Sequence, residues 1–237
     1  MKQITFIISA LLITIVSGAQ QIDRSKQPKP GPAPAITIND PVIFKLKNGI
    51  TVLVVENHKL PQVSATLQID RGPVLEGSKS GVNQIMGTML GEGTTKMPKE
   101  AFDLAIDEIG ANVNLFSSGG SASSLTRYFE KAFSLMADGI QRPAFPKESF
   151  DKIISQKLTG LKSSEKSASA ISGRVVSALS YGKNTAMGEF ETEQSIKSLT
   201  IEDIKLAYES NISPSRSYLT FVGDISPDMA KQLAEKY

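Results

Sequence analysis

The chain of 237 residues carries 26 basic and 24 acidic residues, one histidine, no cysteine and no tryptophan. A formal charge of +2 provides no basic field of the kind that binds nucleic acid. The absence of cysteine excludes disulfides and thiolate metal sites, so the fold depends on its core. Aromatic residues form only 6% of the chain, which argues against a stacking platform for bases or sugars.

Residues 1–19 are predicted to be a secretory signal peptide and residues 20–40 a proline-rich linker. Lys2 supplies the positive start, Ile4–Val16 the apolar run, and cleavage is expected after Ala19. The run is shorter than the ~20 apolar residues of a spanning helix, so we expect an exported, periplasmic or secreted protein with no membrane attachment after cleavage. The alternative is an uncleaved membrane anchor.

Residues 41–237 are expected to form one folded domain that opens with strands. Period-2 alternation and the hairpin signal Asn48-Gly49 predict strands at Val42–Leu46, Ile50–Val55 and Ser64–Asp70. His58 falls in a polar loop between the second and third of them and is interpreted as a solvated turn residue.

The segment from Gly81 to Leu90 is predicted to be an amphipathic helix. Its apolar stripe consists of Val82, Ile85, Met86, Met89 and Leu90. The opposite face carries Gln84, Gly87, Thr88 and Gly91, and three of these four residues are small. That face allows two interpretations, close packing of the helix on a strand or an emptied cleft.

The rest of the chain alternates between helices and strands. A helix is predicted from Pro98, with Gly110 as its C-cap, then two strands around a break at Gly119-Gly120. The two strands are placed at Ala111–Ser118 and Ala122–Tyr128. Further helices are placed at Lys131–Ile140, from Lys147 onward, at Ala168–Ser180, Glu191–Ser198 and Ile201–Ser210. A last strand, Ser217–Asp224, precedes a helix capped by Ser226 with Pro227 at its first position.

This order of elements resembles the N-terminal domain of the M16 (insulinase-like, pitrilysin) zinc peptidases, from about Pro41 to Tyr237. The signature helix of that family carries His-x-x-Glu-His. In the helix that starts at Gly81, the first His is replaced by Gln84, the catalytic Glu by Gly87 and the second His by Thr88. The resemblance implies an α+β fold, with a mostly antiparallel sheet covered by helices. It also implies a second domain of the same fold downstream, apparently missing here.

The family's third zinc ligand is a Glu on the helix that starts at Lys147. The local pattern places it near Lys157, and the distance from the signature helix places it near Glu165. A further reading of Lys157 is that its ammonium simply reaches the surface. With one His and no Cys in the chain, a His-His-Glu site is impossible, and no zinc or other cofactor is expected.

The resemblance also assigns a role to the first strand after the Pro98 helix. In the family this strand is similar to a sheet edge beside the cleft, where a substrate peptide adds as a further strand. The expected peptide-binding residues are Asn112, Val113, Asn114, Leu115, Phe116 and Ser117.

The function implied is that of a catalytically inactive M16 subunit, which binds peptide or unfolded polypeptide and pairs with an active zinc-bearing M16 subunit. One alternative is a stand-alone periplasmic peptide-binding scaffold. Another is an active metalloendopeptidase with an atypical site on Glu92, Glu76 or Asp70, although carboxylates alone suit Mg²⁺ or Ca²⁺ better than hydrolytic zinc.

Overall fold

The computed structural model describes residues 31–32 and 40–237. The predicted signal peptide and almost all of the predicted linker lie outside the described residues, and both stay predictions. Within the described part, no helix is both long enough and apolar enough to cross a membrane.

The centre of the domain is a six-stranded sheet. Its strands are β1 (Val42–Lys45), β2 (Thr51–Glu56), β3 (Gln62–Ile69), β6 (Asn112–Phe116), β7 (Gly119–Leu125) and β8 (Ser217–Gly223), with β4 (Gly93–Thr94) and β5 (Met97–Pro98) forming a separate small pair. The spatial order is β1-β2-β8-β3-β7-β6, and only β2 and β8 run parallel. The prediction of a mostly antiparallel sheet in an α+β fold is therefore confirmed.

The two faces of the sheet differ in polarity. One face packs on α3 (Phe129–Gln141) and α8 (Pro227–Lys236), and its core includes Val54, Phe133 and Phe221. Side chains alternate along each strand, so the other face carries the polar and more exposed residues. These include Ser64, Thr66, Gln68 and Thr220. One layer of helices thus closes the core, and no helix among residues 40–237 covers the second face of the sheet.

A second core forms around α1 (Val82–Met89), which packs against β6, α4 (Lys147–Ser164) and α7 (Ile201–Asn211). The predicted apolar stripe accounts for it, because Ile85, Met86, Met89 and Leu90 are all buried there. The short helix α6 (Glu193–Lys197) contributes the buried Ile196. The signature helix is thereby fixed by its apolar side, and on its opposite side Gln84 and Thr88 are exposed.

The remaining helices are α2 (Lys99–Asp107) and α5 (Ala168–Tyr181). Pro98 caps α2 rather than opening it, a shift of one residue from the prediction. No residue of α5 is buried. Its large apolar side chains are instead exposed, with Leu179 at 82%.

The predicted break at Gly119-Gly120 is wrong, because both glycines lie inside β7. The hairpin turn falls two residues earlier, at Ser117-Ser118. A Cβ atom on Gly119 would lie 1.9 Å from the carbonyl oxygen of Leu67 on the neighbouring strand. These glycines therefore permit a close approach of strands rather than a turn.

His58 is exposed, as predicted, but it is not simply solvated. Its Nδ1 lies 2.7 Å from a carboxylate oxygen of Asp224, whose other oxygen accepts from the Thr126 hydroxyl at 2.8 Å. The hydrogen bond to Asp224 raises the pKa of His58, and the same bond lowers the pKa of Asp224. The pair ties the β2–β3 loop to the residue that follows β8.

Candidate functional site

The signature helix presents Gln84 and Thr88 to a groove of about 480 Å³ between α1 and α4. The Thr88 hydroxyl is already engaged as a donor. It donates to the backbone carbonyl of Gln84, at 3.1 Å, on its own helix. The Gln84 side chain is also engaged, because its Oε1 accepts a hydrogen bond from the Lys157 ammonium.

Lys157 reaches across from α4 to Gln84, the residue that stands where the motif has its first histidine. Its ammonium binds Gln84 and forms an ion pair with Glu191 Oε2 at 2.7 Å. The Lys157 side chain is 24% exposed, so its ammonium reaches solvent, but two side chains hold it there. We call Lys157, Gln84 and Glu191 the ammonium cluster. It joins α4, α1 and the segment between α5 and α6.

Glu165 takes no part in this arrangement. It caps the C-terminal end of α4, is exposed, and lines a different groove together with α5. The helical rise of ~1.5 Å per residue puts it about 12 Å along the axis from Lys157. Of the two positions predicted for the third ligand, the structure thus places Lys157, not Glu165, opposite Gln84.

Gly87 is the point where α1 touches the sheet. A Cβ atom there would lie 2.6 Å from the backbone nitrogen of Ser117 and 3.2 Å from its Cα. Such distances are below van der Waals contact, so no side chain fits at position 87 with the backbone as it stands. At Gly87 the face is closed by strand packing, which corrects the interpretation of an emptied cleft. The groove persists only beside Gln84 and Thr88.

The residues around the groove do not fit the zinc ion that the resemblance implies. The groove offers an amide, a hydroxyl, an ammonium that would repel a cation, and one carboxylate, Glu191, which is already paired with that ammonium. A catalytic zinc site requires three thiolate, imidazole or carboxylate donors. Among residues 31–32 and 40–237, no group of three His, Cys, Asp or Glu side chains is arranged to hold a metal.

The carboxylates considered for an atypical site are not brought together. Glu76 accepts hydrogen bonds from the start of α1, including the Gly81 amide at 2.5 Å. Glu92 lies in a different hollow and pairs with Lys99 at 3.5 Å. Asp70 is exposed after β3.

The edge strand β6 is paired on one side only within the described sheet. Because Phe116 and Gly119 flank a two-residue turn, they form a hydrogen-bonded pair, and bonded pairs recur at Asn114 and Asn112. The backbone groups of Val113 and Leu115 consequently point away from β7, toward the open edge. Residues 112–116 of the predicted peptide-binding set thus lie on the edge strand.

Ser117, the last residue of that predicted set, lies in the turn after β6. Its amide is the group pressed against Gly87. The edge is therefore open along Val113 and Leu115 and covered by α1 at its end.

A cavity of about 430 Å³ lies at the covered end of the edge strand. It was not found by sequence reasoning, because its walls come from distant segments. Its polar lining includes Arg71, Glu76, Asn83, Gln84, Ser117, Ser118, Glu189, Glu191 and Asn211. Arg71 was noted in sequence only as the end of a strand, and no local pattern singled out Asn211.

Two amides and a carboxylate form a hydrogen-bonded chain along one wall of this cavity. Asn211 Nδ2 donates to Asn83 Oδ1 at 2.5 Å, and Asn83 Nδ2 donates to Glu76 Oε1 at 2.5 Å. Glu76 also accepts from the Gly81 amide. The end of α7 is thereby tied to the beginning of α1.

The chain matches the family description Insulinase (Peptidase family M16) over residues 51–189. That match spans more than half of the sequence, and the protein belongs to the M16 peptidase family. The fold and the elements around the signature helix place it as an N-terminal M16 domain, as the resemblance predicted.

Two relatives show how much of a whole M16 protein is present. Mitochondrial-processing peptidase subunit beta of Mus musculus is 24% identical over 224 residues, which cover 90% of this chain and 45% of that protein. Cytochrome b-c1 complex subunit 1 of Caenorhabditis elegans is 24% identical over 201 residues, 82% of this chain and 42% of that one. The chain spans less than half the length of these relatives.

Solved structures agree in fold. A peptidase M16 inactive domain from Pseudomonas fluorescens superimposes with a TM-score of 0.73 at 22% identity, over 84% of this chain and 50% of that one. The periplasmic protease PqqL from Escherichia coli gives a TM-score of 0.70 at 17% identity, over 86% and 24% of the two chains. At these identities the likeness establishes the fold alone.

Proposed function

We propose that this protein is a catalytically inactive M16 subunit, exported from the cytoplasm, that holds extended polypeptide for a zinc-bearing M16 partner. One observation carries the proposal: the Lys157 ammonium lies between Gln84 and Glu191, where a metal would have to bind. Neither metal-activated water nor a general base at position 87 fits this arrangement. The feature that supports a remaining function is the open edge of β6 beside the site, to which an extended polypeptide binds.

The open edge of β6 supports the peptide-binding part. An unpaired strand offers N–H and C=O groups that an extended peptide satisfies whatever its sequence. On β6 these groups belong to Val113 and Leu115, and the exposed side chains of Asn112 and Asn114 flank them. This mode of binding needs no metal, so it can persist after the loss of the zinc ligands.

The exposed helix α5 supports the pairing part. Ile171, Val175 and Leu179 recur every four residues along one side of the helix and are 42%, 49% and 82% exposed. Contiguous exposed apolar surface of this kind marks an interaction site. Since the relatives are more than twice as long as the matched region, we assign this face to a second M16-type domain or subunit.

The peptide-binding part predicts that Val113→Pro abolishes binding of a fluorescently labelled unstructured peptide. Proline removes the outward N–H of residue 113 and cannot pair with an added strand. Fluorescence anisotropy of the purified chain measures the loss, and circular dichroism checks the fold. Val113→Ala is the matched control, since it shortens the same side chain and leaves the backbone donor in place.

An equal loss of peptide affinity in Val113→Ala and Val113→Pro would assign the effect to packing of the side chain, against the edge-strand proposal. Asn114→Pro serves as a second comparison. Its N–H is directed at β7, so this variant is expected to disrupt the hairpin itself and to lose ellipticity.

The pairing part predicts that Val175→Asp with Leu179→Asp abolishes co-purification of a zinc-bearing M16 protein from the native host. Two carboxylates on the apolar side of α5 would have to be desolvated in the interface. Leu104→Asp, on α2, is the control, because Leu104 is 58% exposed on another helix.

Mass spectrometry of the same preparation tests export, with cleavage after Ala19 expected.

A homodimer with no co-purified M16 protein would contradict the pairing proposal and favour the stand-alone scaffold. Chelator-sensitive peptidase activity that follows this chain through purification would contradict the inactive assignment.

A further inference from the structure

We propose that the cavity at the end of β6 binds a carboxylate together with its neighbouring N–H, the chemistry of a peptide C-terminus, through Arg71 and Asn211. This inference rests on the proposed peptide-binding function and names the part of the peptide that this cavity takes.

The first observation is a pair of buried polar atoms without partners. Over residues 31–32 and 40–237, just two buried side-chain N or O atoms have no hydrogen-bond partner, Arg71 Nη1 and Asn211 Oδ1. Both residues line the one cavity of about 430 Å³. Buried polar groups are nearly always paired, and an orphaned one is costly. One unpaired donor and one unpaired acceptor, on two residues that line one cavity, are what a ligand with an acceptor and a donor would satisfy.

The second observation concerns the charge of the ligand. Glu76 and Glu189 also line the cavity, but each is already held by backbone amides. Glu76 accepts from the Gly81 amide at 2.5 Å, and Glu189 accepts from the amides of Glu76 and Gly77 at 2.8 and 2.9 Å. Glu191 is paired with Lys157. The Arg71 guanidinium is thus left without a counter-ion from the described residues, and its planar fork suits a carboxylate.

The third observation fixes what Asn211 offers. Asn83 must present its oxygen to Asn211, because its own NH₂ group donates to Glu76. The Asn211 NH₂ group is consequently the donor in that pair, and its oxygen is the group left over. Asn211 is only 4% exposed, so this acceptor is directed into a buried environment and calls for an N–H donor.

Together these groups favour a monoanion with an adjacent N–H. Phosphate is disfavoured, since a dianion would face the three carboxylates of the lining. A peptide C-terminus carries both groups on its last residue. The turn residues Ser117 and Ser118 line the cavity, so a peptide added along β6 can reach it. An internal Asp or Glu side chain offers the same carboxylate. The third probe of the test below distinguishes it from a C-terminal carboxylate.

The test compares an N-acetylated tripeptide that has a free C-terminal carboxylate with the same tripeptide amidated. A third probe is the amidated peptide with one internal Asp. Isothermal titration calorimetry on the full chain is expected to give at least tenfold tighter binding of the acid than of the amide, and Arg71→Met should remove that difference. Arg216→Met is the control, because it removes an exposed arginine outside the cavity, and it should leave the difference in affinity between acid and amide unchanged.

The melting temperature distinguishes a ligand-binding role of Arg71 from a purely structural one. Because the guanidinium has no partner in the described fold, Arg71→Met should not lower the melting temperature, and the acid tripeptide should raise it only in the unaltered chain. Arg71→Lys keeps the charge but not the fork and should retain a weakened preference for the acid.

Equal affinity for acid and amide that is sensitive to Val113→Pro would overturn the carboxylate assignment and leave the edge-strand function standing. Preference for the acid that survives Val113→Pro would support the cavity and count against the edge. Tight binding of the amidated peptide with internal Asp would move the assignment to an acidic side chain. Absence of binding by all three probes would overturn both proposals.

Discussion

Gly87→Ala should destabilise the domain by about 1–3 kcal/mol, although alanine is the better helix former. The reason is steric. The added methyl group would lie 2.6 Å from the Ser117 nitrogen, so either α1 or the end of β6 must move. Both elements are fixed by their cores, through Met86 and Met89 on one side and Leu115 on the other. The midpoint of urea unfolding, followed by circular dichroism, measures the effect.

Gly160→Ala is the matched control for this prediction. Gly160 also lies inside a helix, α4, but nothing approaches the position of its Cβ within 4 Å. Alanine there should stabilise the chain by roughly 0.5–1 kcal/mol through helix propensity. Substitutions with the same sign at both positions would contradict the close packing of Gly87 on Ser117. Gly87→Glu should be more destabilising than Gly87→Ala, since it adds a charge as well as volume.

Restoring the two histidines, Gln84→His with Thr88→His, should not create a tight zinc site while Lys157 remains. The Lys157 ammonium would repel the zinc ion. Two like unit charges ~4 Å apart in a partly buried setting repel each other by about 4 kcal/mol, and a divalent cation feels this repulsion for each of its two charges. Adding Lys157→Glu replaces that repulsion with a ligand and should raise zinc affinity by at least a hundredfold. Competition with a chromophoric chelator measures it, and Gly87 stays unchanged so that the fold is preserved.

Two further variants separate the loss of the Lys157 charge from the gain of a carboxylate ligand and test the register of α4. Lys157→Gln in the two-histidine background removes the charge without adding a carboxylate and should give an intermediate affinity. Glu165→Gln should have no effect, because Glu165 lies about 12 Å further along α4. Tight zinc binding by the two-histidine variant that is lost in Glu165→Gln would show that the register proposed for α4 is wrong.

The elements of the fold were predictable where the information is local. The stripe Ile85, Met86, Met89 and Leu90 defined α1 because a helix that buries one side must repeat its apolar residues at that spacing. Ser226 and Pro227 marked the start of α8 because capping depends on adjacent residues only.

The errors came from contacts between distant segments. Gly119 and Gly120 have the composition of a turn, but β7 lies between β3 and β6, and the Leu67 carbonyl and the Leu115 side chain occupy the space of their Cβ atoms. Lysine is a residue type usually found on the surface. The pairing of Lys157 with Glu191, 34 positions away in sequence, could not be read from the local pattern. Arg71 and Asn211 line the same cavity because β3 and α7 both end beside it.

The ammonium cluster replaces a dissociable cation by one that is covalently attached. A metal that bridges elements of a fold stabilises it by mass action, so its contribution varies with the concentration of the metal and vanishes with a chelator. The tie that Lys157 makes between α1, α4 and Glu191 has no such concentration dependence. The arrangement of this site is therefore independent of how much zinc its surroundings contain, whereas that of a site built around bound zinc is not.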